Sequence, residues 1–358
     1  MSRTPTYEVV VVGGGPAGLT TALYATRLGH RTALVNREGG RYESVAAVHN
    51  LLAVSEDATG RGVTELGIEQ LVEYGADYYE DDVRSVEERA DSDADAQFQI
   101  TAERADLLAD RVVFATGFTD EPPRVPGLRR FTGRGLHYCL HCDAYTLGDA
   151  PVFVLGHDDH AAHAAMVLLN FTDDVDLLTN DEEPTWSDAV DEQVRAHPVD
   201  VVEDRVDHAF PEREGEDERT DPDEPPWLGG LEFADGRSRE YAGGFAMYGQ
   251  EYNAELADRL GCERNEDGSI AVNDRRETSV EGAYAVGDLT HGQNQTPIAL
   301  GDGAYAGIAL HKDLRTFPLP PGELDDVETE DVPSAPDDIR ARMRRVRELD
   351  EHAGMRPE

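Results

Sequence analysis

The first readable pattern in the chain is an unbroken apolar run, "YEVVVV" ending at Val12, with no polar alternation. Its β-branched residues predict a strand buried on both faces. "GGGPAG" follows, then "LTTALYATRLGH" with apolar positions at helical spacing, then "RTALV". That order predicts a strand–helix–strand unit. Residues 110–117, "DRVVFATG", read as another strand ending in a glycine turn, and the prolines of "EPPRVPGL" suit an inter-domain crossing. A second unit begins with the strand "APVFVLG", the helix "HDDHAAHAAMVLLNF" and the strand "DVDLLT". The acidic, Pro-rich residues 203–226 predict a surface loop between strands. "EGAYAVGDLTHGQ" reads as a strand and glycine turn, and "GDGAYAGIALHKDL" as a helix. After Phe317 the composition shifts to a linker, "PLPPGELDDVETEDVPSAP". The closing "DDIRARMRRVREL" predicts a short basic helix with Ile339, Met343 and Val346 on one stripe, either a satellite element or one that docks on the acidic body or a partner.

The first glycine turn carries specific chemistry. Gly13, Gly15 and Gly18, with Pro16 and Ala17 between the last two, form G-x-G-x-x-G between a predicted strand and a predicted helix. Gly13 permits the tight turn, Gly15 lets the backbone approach a pyrophosphate, and Gly18 lets the helix pack on the strand, with the helix N-terminus facing the anion. A dinucleotide site is expected here. An acid commonly ends the second strand to hold the ribose hydroxyls; here Asn36 and Arg37 stand there, followed by Glu38. Asn36 retains the capacity to hydrogen-bond a hydroxyl.

Composition narrows the partners. The 358 residues fit two domains. Seventy-four acidic residues against 32 basic ones give a formal net charge of -42, and Lys312 is the single lysine. A field this negative repels phosphate backbones and anionic lipid, so nucleic acid and membrane surfaces are not expected as partners. Dense carboxylates with almost no lysine predict a halophilic chain adapted to molar salt, where repulsion is screened within about 3 Å. No apolar run reaches membrane-spanning length and the N-terminus leads straight into a strand, so a cytoplasmic protein is expected. Three cysteines do not make a disulfide framework. Two of them, Cys139 and Cys142, lie in "HYCLHCDAY". Zinc knuckle, haem attachment, structural disulfide and redox disulfide are all compatible with two cysteines at that spacing.

Taken in order, these segments resemble the low-molecular-weight thioredoxin reductase family of FAD-dependent disulfide oxidoreductases, from residue 7 to about 315. The motifs are "GGGPAG", "VPGLRRFTGRGLHYCLHCDAY" and "YGQEYNAELADRLGCERNEDGSIAVNDRRETSVEGAYAVGD". The stretch "CLHCDAYTLGDAPVFVLGHDDHAAHAAMVLL" also resembles a branch that includes dithiol oxidases. The resemblance implies an α/β fold of two Rossmann-like, FAD/NAD(P)-binding three-layer domains, the second inserted into the first. The expected boundaries are 1–118 plus 246–317 for the FAD domain, 119–245 for the CxxC-bearing insertion, and 318–358 for linker and terminal helix. It also implies a homodimer acting on a thioredoxin-like protein or a small dithiol or disulfide.

The resemblance favours a redox-active Cys139–Cys142 pair over a flavin. A zinc site needs four ligands, and only Cys262 remains as a thiolate, with His137 and His141 nearby. Haem attachment needs His directly after the second Cys, where Asp143 stands. By resemblance, Cys142 lies against the isoalloxazine, Cys139 is the interchange thiol, and Asp143 is the acid/base. His141 either lowers a thiolate pKa or is a spacer. The resemblance further implies flavin contacts at Asn50, Val83, Ala115, Thr116, Gly117, Gly287, Asp288, Gln295 and Thr296, with His291 close by. The last helix would direct its dipole at the flavin ring.

The second nucleotide turn departs from the pattern. "GHDDHA" keeps Gly156 and Ala161, but the middle glycine is Asp158. A buried like-charge contact at about 4 Å costs roughly 4 kcal/mol at an effective dielectric of 20. Where arginines should meet a 2′-phosphate, the chain has Asn180, Asp181, Glu182 and Glu183. FAD without NADPH is therefore expected. Electrons then come from ferredoxin or another non-NADPH donor, or run from a dithiol through Cys139–Cys142 and FAD to O2. A flavin-binding regulator without turnover is the remaining alternative. His157, His160 and His163 are expected to be surface histidines rather than metal ligands.

Overall fold

The computed structural model describes residues 4–89, 96–212, 226–315, 317–319, 322, 328 and 332–347, and the side chains of 343–347 lie outside that description. The fold is mixed α/β with two Rossmann-type units. One comprises Met1–Glu43, Thr59–Thr119 and Tyr252–Glu358, the other Ser44–Ala58 and Asp120–Glu251. A two-stranded ribbon, Phe118–Asp120 with Gln250–Tyr252, lies where the chain passes from one to the other and back.

The first unit is built on a seven-stranded sheet. Asp77–Glu80, Thr32–Asn36, Thr6–Val12 and Asp106–Phe114 run parallel, and Ala283–Ala285 joins Asp106–Phe114 in parallel. Phe98–Ala102 and Val83–Glu88 continue it antiparallel. Val9, Val10 and Val11 are fully buried, as a continuous apolar run on a central parallel strand requires. Helix Pro16–Arg27 follows the first strand, with Pro16 at its first turn where a missing N–H costs nothing. Helix Gly60–Tyr74 is capped by Thr59 Oγ1, which accepts from Gly62 N, and is ended by left-handed Gly75. Helix Thr296–Leu314 packs on the same face as the first helix.

The second unit has an all-parallel five-stranded sheet in the order Asp200–Val202, Val175–Leu178, Val152–Leu155, Gly243–Ala246, Leu136–His137. Helices Asp159–Leu168 and Asp188–Ala196 supply one core. An antiparallel sheet of Val206–Pro211, Leu228–Phe233 and Ser238–Glu240 supplies another.

Three expectations are revised. Gly243–Ala246 is an interior strand of the second sheet, so that unit runs to Glu251 and not to 245. Residues 44–58 group with the second unit although the chain order suggested the first. Within 203–226, Val206–Pro211 is a strand: Val206 and Ala209 are buried by pairing with Leu228–Phe233, a long-range partner that local acidity hides. The rest of that stretch, 213–225, lies outside the described residues.

The terminal helix Asp337–Arg347 docks on the chain's own first unit. Ile339 is buried, Asp338 pairs with Arg31 at 2.6 Å, and the Arg342 guanidinium donates to the Gly75 carbonyl. That cation sits where the helix Gly60–Tyr74 ends, against carbonyls without intrahelical partners. Of the expected linker, 320–321, 323–327 and 329–331 lie outside the described residues, as do the side chains of Met343 and Val346.

Candidate functional site

The glycine turn of the first unit is fixed by close backbone packing. Gly13 has φ +109, and a Cβ there would lie 2.3 Å from the Ala115 carbonyl oxygen. A Cβ on Gly18 would lie 2.0 Å from the Gly13 carbonyl oxygen. Gly15 is different: nothing lies within 4 Å of its Cβ position, so it faces open space at the start of helix Pro16–Arg27. Gly287, at φ +66, would place a Cβ 2.6 Å from Ala17 Cβ and 3.8 Å from Ala299 Cβ. It therefore holds together the first turns of helices Pro16–Arg27 and Thr296–Leu314. Neither first turn carries an acidic residue, and neither helix has a side-chain cap among the described residues. In a chain with 74 acids, two helix N-termini without an acid or a side-chain cap converge on one glycine and bring their positive dipole ends together. That chemistry fits the pyrophosphate of a dinucleotide such as FAD.

The other predicted contacts take up distinct roles. Asn36 Oδ1 accepts from Gly14 N at 2.8 Å, so this buried side chain closes the glycine turn from the end of the second strand. Arg37 is exposed, with its guanidinium 3.8 Å from Asp82 Oδ2. Val83 is buried in the core of the first unit. Ala115, Thr116 and Gly117 form the strand-end turn, pinned by a residue outside the predicted set. Asn253 Nδ2 donates to the Thr116 carbonyl at 2.9 Å, Asn253 N donates to the Gly117 carbonyl at 2.9 Å, and Thr116 Oγ1 donates to the Asn253 carbonyl at 2.6 Å. Its sequence signal is the Asn of "YNAEL". Asp288 follows Gly287 in a short 3₁₀ turn, and Gln295 and Thr296 begin the last helix. His291 pairs at the surface with Asp267 Oδ2 at 2.7 Å; that partner and Ser269 hold the Asp267 carboxyl down at about 2.

In the second unit Cys139 and Cys142 are joined in a disulfide, with Cα atoms 5.3 Å apart. Cys139 precedes the single helical turn Leu140–Asp143, and its carbonyl accepts from Cys142 N and Asp143 N. Buried Leu140 and Ala144 anchor the turn in the core, leaving the disulfide half-buried and His141 exposed. Asn50 Nδ2 approaches Cys142 Sγ at 3.7 Å, so this expected flavin contact stands beside the disulfide. His137 Nδ1 lies 3.2 Å from Asp143 Oδ2. The third cysteine, Cys262, lies buried in the core of the first unit, where burial pushes its thiol pKa up. Among the described residues no group of three His, Cys, Asp or Glu is arranged to hold a metal ion.

The second nucleotide-type turn is shaped like the first and filled differently. Gly156 makes the close approach, its Cβ position lying 2.6 Å from Ala161 Cβ. Asp158 Oδ1, however, accepts from Ala161 N at 2.9 Å, so the helix Asp159–Leu168 is capped by its own carboxylate. Asp159, in the same first turn, accepts from Ser187 N at 2.7 Å. His157 Nε2 lies 3.2 Å from Glu182 Oε2, and the same carboxylate meets Arg124 at 3.5 Å through Oε1. His160 and His163 are exposed on the helix, apart from this contact. A groove of about 740 Å³ at the strand ends is lined by Asp181, Glu203, Asp204, Arg205 and Arg237 among others. Its arginines already meet carboxylates, Arg237 with Asp204 at 2.6 Å and Arg205 with Asp207 at 3.5 Å.

Residues 7–303 match the pyridine nucleotide-disulphide oxidoreductase family. A thioredoxin reductase of Peptoclostridium acidaminophilum is 28% identical over 324 residues, spanning 86% of this chain and 96% of that protein. The F component of the alkyl hydroperoxide reductase of Staphylococcus epidermidis is 28% identical over 311 residues, spanning 84% of this chain and 58% of that longer protein. The crystal structure of HlmI superposes with a TM-score of 0.77 at 30% identity, covering 88% of this chain and 95% of that one.

Proposed function

The chain belongs to the pyridine nucleotide-disulphide oxidoreductase family, and from that membership we propose an FAD-dependent disulfide/dithiol oxidoreductase that exchanges two electrons with a thiol or disulfide partner through Cys139–Cys142. One observation carries this reading: the two uncapped helix N-termini that Gly287 holds together in the first unit. FAD, when bound there, supplies a two-electron store. Gly13, Gly15, Pro16, Ala17 and Gly18 would present the turn's backbone to its pyrophosphate. Ala115–Gly117 and Gly287–Asp288 would line the same cradle, and Gln295 and Thr296 would direct the last helix at the ring.

The sulfur chemistry needs both cysteines. A partner thiolate attacks Cys139, the disulfide opens with its electron pair on Cys142, and a second partner thiol then releases Cys139. Asp143, in the same helical turn, would move the proton.

NADPH is not the electron source in this reading, although the family's name includes a pyridine nucleotide. The Asp158 carboxylate occupies the helix N-terminus that a pyrophosphate would need, and Glu182 lies close by. Electrons would run from a dithiol through FAD to O2, or from ferredoxin or another donor to a thioredoxin-like protein. The test is an anaerobic titration in high salt with dithiothreitol, NADPH, NADH and reduced ferredoxin, following flavin absorbance. Bleaching by dithiothreitol without bleaching by NADPH is expected; rapid bleaching by NADPH would overturn the reading of Asp158. No described helix is long and apolar enough to cross a membrane. A cytoplasmic homodimer remains part of the proposal, and sedimentation in molar KCl checks the dimer.

A further inference from the structure

His137 and Asp143 are six residues apart, yet the turn Leu140–Asp143 folds the chain back until Nδ1 and Oδ2 are 3.2 Å apart. The pair brackets the disulfide in sequence and is largely buried, with side-chain exposures of 10% and 21%. His137 is held from behind. It sits on the short edge strand Leu136–His137, in register with Phe245, whose ring centroid is 5.7 Å from the imidazole. The neighbouring strand Gly243–Ala246 brings no charged group to it, and the turn brings Asp143 and exposed His141. Asp143 is thus the one carboxylate observed against this imidazole among the described residues, and the disulfide-exchange reading gives His137 no role of its own.

We propose that His137 is a positioning residue that acts through Asp143, making the carboxylate–imidazole pair the proton acceptor for an incoming dithiol. The inference rests on the disulfide-exchange reading above. A lone carboxylate is a weak base toward a thiol, whereas a carboxylate paired with an imidazole accepts and passes on a proton near neutral pH. The first thiol of the dithiol gives its proton to Asp143 as its sulfur bonds to Cys139 Sγ. The Cys139–Cys142 bond breaks, and its electron pair goes to Cys142 Sγ. The second thiol loses its proton and attacks the dithiol sulfur bonded to Cys139. That closes the product disulfide and leaves an electron pair on Cys139 Sγ. Cys139 takes one of the two protons, and the other leaves to solvent through His137. The dithiol is oxidised by two electrons and the cysteine pair reduced by two.

The test uses the full chain with His137→Gln, Asp143→Asn and the double variant. The pair is reduced with dithiothreitol at pH 6 to 9.5, quenched with iodoacetamide, and alkylated Cys139 and Cys142 are counted by mass. Wild type should show a broad plateau around neutral pH. His137→Gln should be slower by about 100-fold at pH 7, with the gap closing as dithiothreitol ionises unaided. Asp143→Asn should show the same pH signature, and the double variant should lose little more. A His137→Gln profile parallel to wild type at every pH, or losses that multiply in the double variant, would overturn the proposal. This count does not need flavin: reduction of the pair without flavin bleaching would instead sink the reading on which the inference rests.

Discussion

Asp158 Oδ1 and Ala161 N are 2.9 Å apart, so the second nucleotide-type turn is closed by a carboxylate of its own chain. The first turn leaves the equivalent helix N-terminus without a side-chain cap. The same backbone device is thus open to an anion in one unit and already satisfied in the other.

Removing that cap should cost stability without creating a cofactor site. Asp158→Gly is expected to lose only about a few tenths of a kcal/mol: one N–H of the first turn loses its acceptor, but glycine is itself well tolerated at a helix N-cap. NADPH should still fail to bleach the flavin, since Glu182 and His157 remain. Thermal melts and the NADPH titration measure both; NADPH-driven bleaching in this variant would show that Asp158 alone excludes the nucleotide.

Gly15 separates fold from cofactor. Its Cβ position is empty to 4 Å, so Gly15→Ala should melt within about 0.5 kcal/mol of the wild-type apoprotein. Its FAD affinity should fall at least about tenfold, because the methyl stands where the pyrophosphate approaches. Gly18→Ala, with a Cβ 2.0 Å from a carbonyl oxygen, should instead destabilise the fold by about 1–3 kcal/mol. Equal FAD affinity for Gly15→Ala and wild type would place the pyrophosphate elsewhere.

Cys142→Ser should reduce dithiol-driven flavin bleaching to background while leaving FAD bound, and Cys139→Ser should do the same. One sulfur forms the mixed disulfide and the other resolves it, so neither works alone. Retained turnover in either variant, measured by stopped-flow absorbance, would remove that sulfur from the mechanism.

Glu8 makes a pH-dependent contribution to the first unit. Burial works against its charge, but His30 at 3.1 Å, the Arg31 amide and Arg315 at 2.5 Å outweigh it and hold the carboxyl at about 2. A depressed folded pKa stabilises above the unfolded value, and the contribution is lost as pH falls from about 4.5 toward 2. Glu8→Gln should therefore cost up to roughly 3 kcal/mol at pH 7 and progressively less below pH 4.5. Denaturant melts of both proteins from pH 3 to 7 supply the difference; a cost that does not change with pH would refute it.

Stability should rise with salt. With a formal net charge of -42, self-repulsion falls as the screening length shortens from about 10 Å at 0.1 M to about 3 Å at 1 M. Melting temperature in 0.1 to 3 M KCl checks this, and a flat or falling curve would remove the case for molar-salt adaptation.

The sequence alone determined the local elements whose physics is local. The run Val9–Val12, the glycines that follow and the helix begun by Pro16 needed no distant partner to be read, and neither did the mismatch at Asp158 or the cysteine spacing. Tertiary structure decided what depends on residues meeting across the chain. It turned Val206–Pro211 into a strand, gave Gly243–Ala246 to the second sheet, and put Arg342 on the end of a helix that stops at Tyr74. It set Asn253 against Thr116, folded His137 onto Asp143, and used Gly287 to draw two helix N-termini together. Period and composition encode burial and turns within a few residues. A contact between distant positions costs loop closure and is repaid only by packing or hydrogen bonds that no short window contains.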